Sequence, residues 1–181
     1  MSTLKTVLSQ KIDAHRPRTT RLVKECGDVK LGDVTIAQAI GGARGIKCLV
    51  TDISYLDPFE GIRFRGMTIP ETFEALPKVP GSDYPFVEGF WYLLLTGDVP
   101  TMEQTLEVVE DWKKRSVVPQ YVYDVLNALP DDAHPMAMFS SAVLAMQRDS
   151  EFAKTYASGK FNKMTCWEDM YEDANNMMAK L

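Results

Sequence analysis

An all-α fold with a minor extended ribbon near residues 29–66 is the architecture this sequence predicts, on three observations. From Thr68 onward, apolar residues recur at helical spacing and are punctuated by three cap signatures, a hydroxyl followed three residues later by Glu or Gln: Thr68 to Glu71, Thr101 to Gln104 and Thr165 to Glu168. Before that point Gly41, Gly42, Gly45, Gly61 and Gly66, with Pro58 and Pro70, make an irregular, turn-rich stretch in which backbone geometry places the side chains. Strand-like runs are too few to build a substantial sheet.

The elements follow in order. A first helix sets Leu4, Val7, Leu8 and Ile12 on one face, resumes after Pro17 through Leu22, Val23 and Cys26, and ends at Gly27-Asp28. An extended excursion over 29–36 leads to a short helix near 35–40. Cys48 to Asp52 and Ile62 to Arg65 are the strand candidates, separated by the turn at Asp57-Pro58. The helix after Thr101 aligns Met102, Leu106, Val109 and Trp112, with acids early and Lys113, Lys114 and Arg115 late, as the helix dipole favours. Residues 119–129 align Val122, Val125, Leu126 and Leu129. Residues 135–146 are apolar on nearly every side, which predicts burial between other elements or in a subunit contact. Trp167, Met170, Tyr171, Ala174, Met177, Met178 and Leu181 form a last stripe with no Gly, Asn or Pro to end it, so a truncated chain is expected.

Composition narrows the function. The 181 residues are 45% apolar and 25% charged, a globular balance, and the net charge of −5 argues against a chain-wide nucleic-acid or anionic-membrane surface. Cys26, Cys48 and Cys166 are odd in number and widely spaced, which predicts free thiols in a reducing compartment rather than disulfides or a zinc site. His15 and His134 are the only imidazoles, so no metal is expected. The segment 86–95 is apolar but carries Glu88 and has half the roughly 20 residues of a membrane span. No signal peptide is evident at the start, and the expectation is a soluble, cytoplasmic protein.

Candidate site residues are the arginines of the irregular stretch, whose planar forks suit phosphate or carboxylate. Arg44 stands in Gly41-Gly42-Ala43-Arg44-Gly45, where C-capping accounts for the first glycines but not for an arginine in so sparse a loop. Arg63 and Arg65, two apart in a strand, are expected on one face in a salt-bridge cluster with Asp52, Asp57 or Glu60. His134, before Pro135, reads as satisfying a backbone group at a helix entry.

The stretch from Gly41 to Glu71, with its Leu56-Asp57-Pro58-Phe59-Glu60-Gly61-Ile62-Arg63-Phe64-Arg65-Gly66 core, closely resembles the N-terminal region of the citrate synthase family. So do Gly89 to Gly97 with Pro100-Thr101, then His134-Pro135-Met136, Phe152-Ala153 with Tyr156-Ala157, and Trp167-Glu168, in fixed order. Departures fall in the first thirty residues and in 160–166. Family chains are more than twice as long, so residues 1–181 correspond to the N-terminal part of the family's large domain.

The resemblance implies condensation of acetyl-CoA with oxaloacetate, then hydrolysis of citryl-CoA to citrate and coenzyme A. It implies coenzyme A as substrate rather than a tightly bound cofactor, a homodimer, and mitochondrial-matrix residence if the chain is a mature eukaryotic one. In the family an arginine matching Arg44 contacts the phosphate-rich part of coenzyme A. A basic residue near Lys160 and Lys163 reaches the neighbouring subunit's coenzyme A. The family's two catalytic histidines and aspartate belong to a later part of the chain, so no catalytic residue is expected here and this chain alone is expected to be inactive. A 2-methylcitrate synthase or another citryl-CoA-forming relative would share the pattern. A non-catalytic helical interaction module is the alternative of a different class.

Overall fold

A computed structural model describes residues 3–43, 45–46, 50–57 and 59–181. Helices dominate, and the only sheet among the described residues is a two-stranded ribbon, so the all-α expectation with a minor ribbon holds. The chain divides into two compact units, Met1–Glu107 and Val108–Leu181.

In the first unit α1 (Thr3–Cys26) is a single helix that runs through Pro17 rather than stopping there. Pro17 forfeits the bond its N–H would give to the carbonyl of Asp13, but that stretch is solvent-exposed and water can serve the freed carbonyl. Leu4 is buried, whereas everything from Pro17 to Cys26 is exposed. α2 (Ile36–Ile40) follows the excursion. The hairpin then pairs β1 (Ser54–Asp57) with β2 (Gly61–Phe64), antiparallel, with Asp57 opposite Gly61 and Ser54 opposite Phe64.

The first strand therefore lies later than the expected 48–52, because the turn dictates register. The Asp57 carboxylate accepts from the N–H groups of Phe59 (2.8 Å) and Glu60 (3.0 Å), and Gly61 takes φ 88°. A loop of three residues closed by a left-handed glycine pairs the residues beside it, not a segment five residues upstream. Donation by the Glu60 and Phe59 amides also holds the Asp57 carboxyl below the ordinary value. Pro58 and Cys48 of the expected turn and strand lie outside the described residues.

α3 (Ile69–Ala75) has the anticipated capping box: Thr68 Oγ1 accepts from Glu71 N–H, and Glu71 Oε2 accepts from Thr68 N–H at 2.7 Å. α4 (Val87–Thr96) ends on Gly97 at φ 79° and packs against α1. Tyr92 and Leu93 of α4, with Leu4 and Leu76, form this unit's apolar core. Three buried threonines, Thr72, Thr96 and Thr105, each return the hydroxyl to the carbonyl four residues back, so none is left unsatisfied. Gly89 permits close approach to Thr105, since a Cβ there would sit 3.4 Å from its hydroxyl.

α5 (Met102–Arg115) begins with the second capping box, Thr101 to Gln104, and its acid-to-base polarity is as expected. Its buried stripe is Thr105, Val108 and Trp112; Met102 and Leu106 face solvent. Hydrophobicity alone chose the wrong neighbours here, because Thr105, polar by type, meets its hydrogen-bonding need inside its own helix.

In the second unit α6 (Gln120–Asn127) packs on α7 (Pro135–Met146), and α8 (Glu151–Ala157) on α9 (Cys166–Met178). No residue of α7 is buried: Met136, Phe139 and Leu144 stay exposed. The third capping box is absent. Thr165 sits at φ −114°, ψ −9° instead of extended, so its hydroxyl does not reach Glu168; the chain enters α9 through a turn at Asn162, whose carbonyl accepts from Cys166 N–H. Asp173 of α9 instead caps α8, accepting from the Ser150 hydroxyl (2.6 Å) and the N–H groups of Glu151 and Phe152.

The polar centre of this unit is Asn175, fully buried beside Tyr171. Its Oδ1 accepts from Trp112 Nε1 at 2.9 Å and its Nδ2 donates to the Tyr171 carbonyl. Arg115 adds a second tie, to Asp111, Glu172 and Asn176. Asn175→Ala would leave the indole N–H buried without this partner, at about 1–3 kcal/mol. Urea unfolding should show that loss, and Trp112→Phe added to it should cost less than the sum of the two; strict additivity would mean the pair is uncoupled.

Acid should loosen α3 at its start. Donation by the Thr68 backbone and hydroxyl holds Glu71 below its ordinary value of 4.5. A folded-state pKa below the unfolded one gives stabilisation that is complete above the unfolded value and lost as pH falls through the folded one. The protection factor of the Thr68 amide, measured by NMR exchange against the intrinsic rate at each pH, should fall across that window in the wild type, and the fall should be absent in Glu71→Gln.

Candidate functional site

The loop holding residue 44 is built by one side chain and three left-handed backbone positions. Gln38 closes both ends of α2. Its Oε1 accepts from the N–H (3.0 Å) and hydroxyl (3.2 Å) of Thr35, while its own carbonyl accepts from Ala43 N–H at 2.8 Å. With Gly42 N–H on the Ala39 carbonyl, this is a Schellman ending, which demands a left-handed residue just past the cap; Gly42 supplies it at φ 78°. Ala43 (φ 62°) and Gly45 (φ 72°) are also left-handed, and both are exposed. The glycines thus have the capping role expected of them, and the Thr35 to Gln38 capping box was legible as the same signature used elsewhere. Arg44 itself lies outside the described residues, as do Lys47, Cys48 and Leu49.

Arg63 and Arg65 are brought into structural ion pairs but not onto one strand face. β2 ends at Phe64, and Arg65-Gly66 form a two-residue turn, both left-handed (φ 49° and 87°), closed by reciprocal bonds between Phe64 and Met67. Arg63 pairs with Glu60 at 3.0 Å and donates to the Gly66 carbonyl. Arg65 reaches Asp52 at 3.3 Å and donates to the carbonyls of Leu94 (2.6 Å from Nη2, 3.0 Å from Nε) and Leu95 (3.2 Å). It is therefore a C-terminal cap for α4, a role that the sequence spacing did not reveal.

Both imidazoles make local contacts. His134 caps α7, its Nδ1 accepting from Met136 N–H at 3.1 Å. His15 lies on exposed α1, 3.9 Å from Asp52 and 3.3 Å from the Thr19 hydroxyl. Lys160 and Lys163 lie exposed in the turn-rich link between α8 and α9. Cys26 and Cys166 are free thiols. Among the described residues no group of three or more His, Cys, Asp or Glu could hold a metal ion, and no helix is long and apolar enough to cross a membrane.

A family model described as "Citrate synthase, C-terminal domain" matches residues 42–181. The mitochondrial citrate synthase of Aspergillus niger is 46% identical over 178 residues, 98% of this chain and 37% of its own length. A probable mitochondrial citrate synthase of Glossina morsitans morsitans is 45% identical over 180 residues, 99% of this chain and 38% of its own. That of Xiphias gladius is 43% identical over 178 residues, 98% and 38%. The match takes in the left-handed loop, the ribbon and the helices alike, so this chain belongs to the citrate synthase family. It spans less than two-fifths of the length of these curated relatives.

The loop makes a testable demand. Ala43 holds a left-handed conformation that costs an L-residue about 1–2 kcal/mol, so Ala43→Gly should raise stability, whereas Gly42→Val should lower it and fray α2. Thermal melts of the two variants check this; equal shifts would show that the loop is not held as described.

Proposed function

We propose that this chain is the N-terminal part of the large domain of a citrate synthase, which joins acetyl-CoA to oxaloacetate and hydrolyses the resulting citryl-CoA. The carrying observation is identity of 43–46% along nearly the whole chain to proteins named citrate synthase. In that chemistry a base takes a proton from the acetyl methyl, an acid supports the enolate oxygen, and the carbanion attacks the ketone carbon of oxaloacetate. Water then cleaves the thioester, releasing the coenzyme A thiol and citrate, with which the tricarboxylic acid cycle begins. His134 caps α7 and His15 lies on exposed α1 near Asp52, which supports placing the proton-transfer groups outside this chain.

The part assigned to this chain is to hold coenzyme A, as substrate and without a tightly bound cofactor, through Arg44 presented by the left-handed loop. A fixed loop suits an arginine that must meet a phosphate as a planar fork. The exposed apolar residues of α7, with α6 beside it, support a homodimer contact. The relatives are mitochondrial by name, which favours the mitochondrial matrix over the cytoplasm. A 2-methylcitrate synthase remains the second reading, since it would share this pattern.

In the full-length enzyme, Arg44→Ala should weaken acetyl-CoA binding about 10- to 150-fold, the worth of a charge-assisted contact, with oxaloacetate affinity unchanged. Titration at fixed ionic strength checks it; unchanged acetyl-CoA affinity would reduce Arg44 to a loop residue. The 181-residue chain alone should release no coenzyme A from acetyl-CoA and oxaloacetate and should self-associate at micromolar concentration in light scattering. Turnover would overturn the placement of catalysis, and a clean monomer would overturn the α6–α7 contact.

A further inference from the structure

We propose that the groove along α1 is a second anion site, separate from the residue-44 loop, for a compact anion bearing at least two phosphate or carboxylate groups. α1 carries six permanent cations, Lys5, Lys11, Arg16, Arg18, Arg21 and Lys24, against Asp13 and Glu25, in a chain of net charge −5. Two adjoining clefts of about 460 and 490 Å³ run beside it and share His15, Arg18 and Asp52. The first holds four permanent cations, Lys11, Arg16, Arg18 and Arg65, and two carboxylates, Asp52 and Asp98.

Both carboxylates are already engaged. Lys11 pairs with Asp98 at 2.7 Å, and Arg65 meets Asp52 at 3.3 Å while covering the carbonyl end of α4 that would otherwise repel an anion. The uncompensated charge is left where the two clefts meet. Arg18 lines both and forms no ion pair among the described residues; His15, about one turn before it, also lines both, and Thr19, whose hydroxyl lies 3.3 Å from the His15 ring, lines the second. A guanidinium fork with a hydroxyl and an imidazole beside it fits a multivalent oxyanion. Its exposure implies weak, salt-sensitive binding.

Calorimetric titration of the 181-residue chain with inorganic pyrophosphate and, separately, with tricarballylate tests the site, with circular dichroism confirming that each variant keeps its helix content. Pyrophosphate should bind at low ionic strength, and Arg18→Gln should weaken it about five- to tenfold, as expected for an exposed charge-assisted contact. His15→Gln should weaken it less, Arg18→Lys should retain most of it, and Arg44→Gln should leave it unchanged. Binding of tricarballylate as well would extend the site to carboxylates, and binding of pyrophosphate alone would restrict it to phosphates. No binding up to about 10 mM, an affinity indifferent to Arg18→Gln, or a loss that follows Arg44 instead would overturn the proposal.

Discussion

The guanidinium of Arg65 is the contact on which the first unit depends. Its backbone is left-handed, a conformation that costs about 1–2 kcal/mol for a residue other than glycine. The side chain offsets this by donating to the carbonyls of Leu94 and Leu95 and pairing with Asp52, and a hydrogen bond to a charged group contributes about 1.5–3 kcal/mol. The balance favours the strained turn. One residue thereby fixes the end of the ribbon, the C-terminus of α4 and the approach of residues 52–53, whose Ile53 carbonyl accepts from Arg65 N–H at 2.7 Å. Gly97 completes the joint, its left-handed cap lying against the arginine side chain.

Much of the architecture was legible because its signals are local. Thr68 with Glu71 and Thr101 with Gln104 announce helix starts through bonds that span three residues, and His134 caps the helix it precedes. Signals that act across the chain were not legible. Asp173 caps a helix more than twenty residues upstream, Asn175 is buried because Trp112 needs an acceptor, and Arg65 is defined by carbonyls thirty residues away. Thr165 shows the converse: the right residue types at the right spacing give no capping box when the preceding turn at Asn162 sets the wrong backbone angles. The first strand was misplaced for a related reason, since β-propensity pointed to 48–52 while a three-residue turn fixed the pairing at 54–57.

The candidate site divides in the same way. That Gly41 and Gly42 end a helix could be read from sequence, and the structure adds that Gln38 ties both ends of that helix and that Ala43 and Gly45 are left-handed as well. Family membership follows from sequence likeness over nearly the whole chain. The share proposed for this chain is to present an anion-binding loop and an apolar helical surface. The described parts of both features are exposed: Met136, Phe139 and Leu144 on α7, and Ala43 and Gly45 on either side of residue 44.

Hydrogen exchange of the wild type against Arg65→Ala, read peptide by peptide, tests the central claim most directly. The account predicts that the β1–β2 ribbon and the last turn of α4 lose protection together, by about tenfold or more for the loss of a contact worth at least 1.4 kcal/mol, while α9 is unchanged. Loss confined to the ribbon, with the end of α4 still protected, would contradict the claim that one arginine joins them.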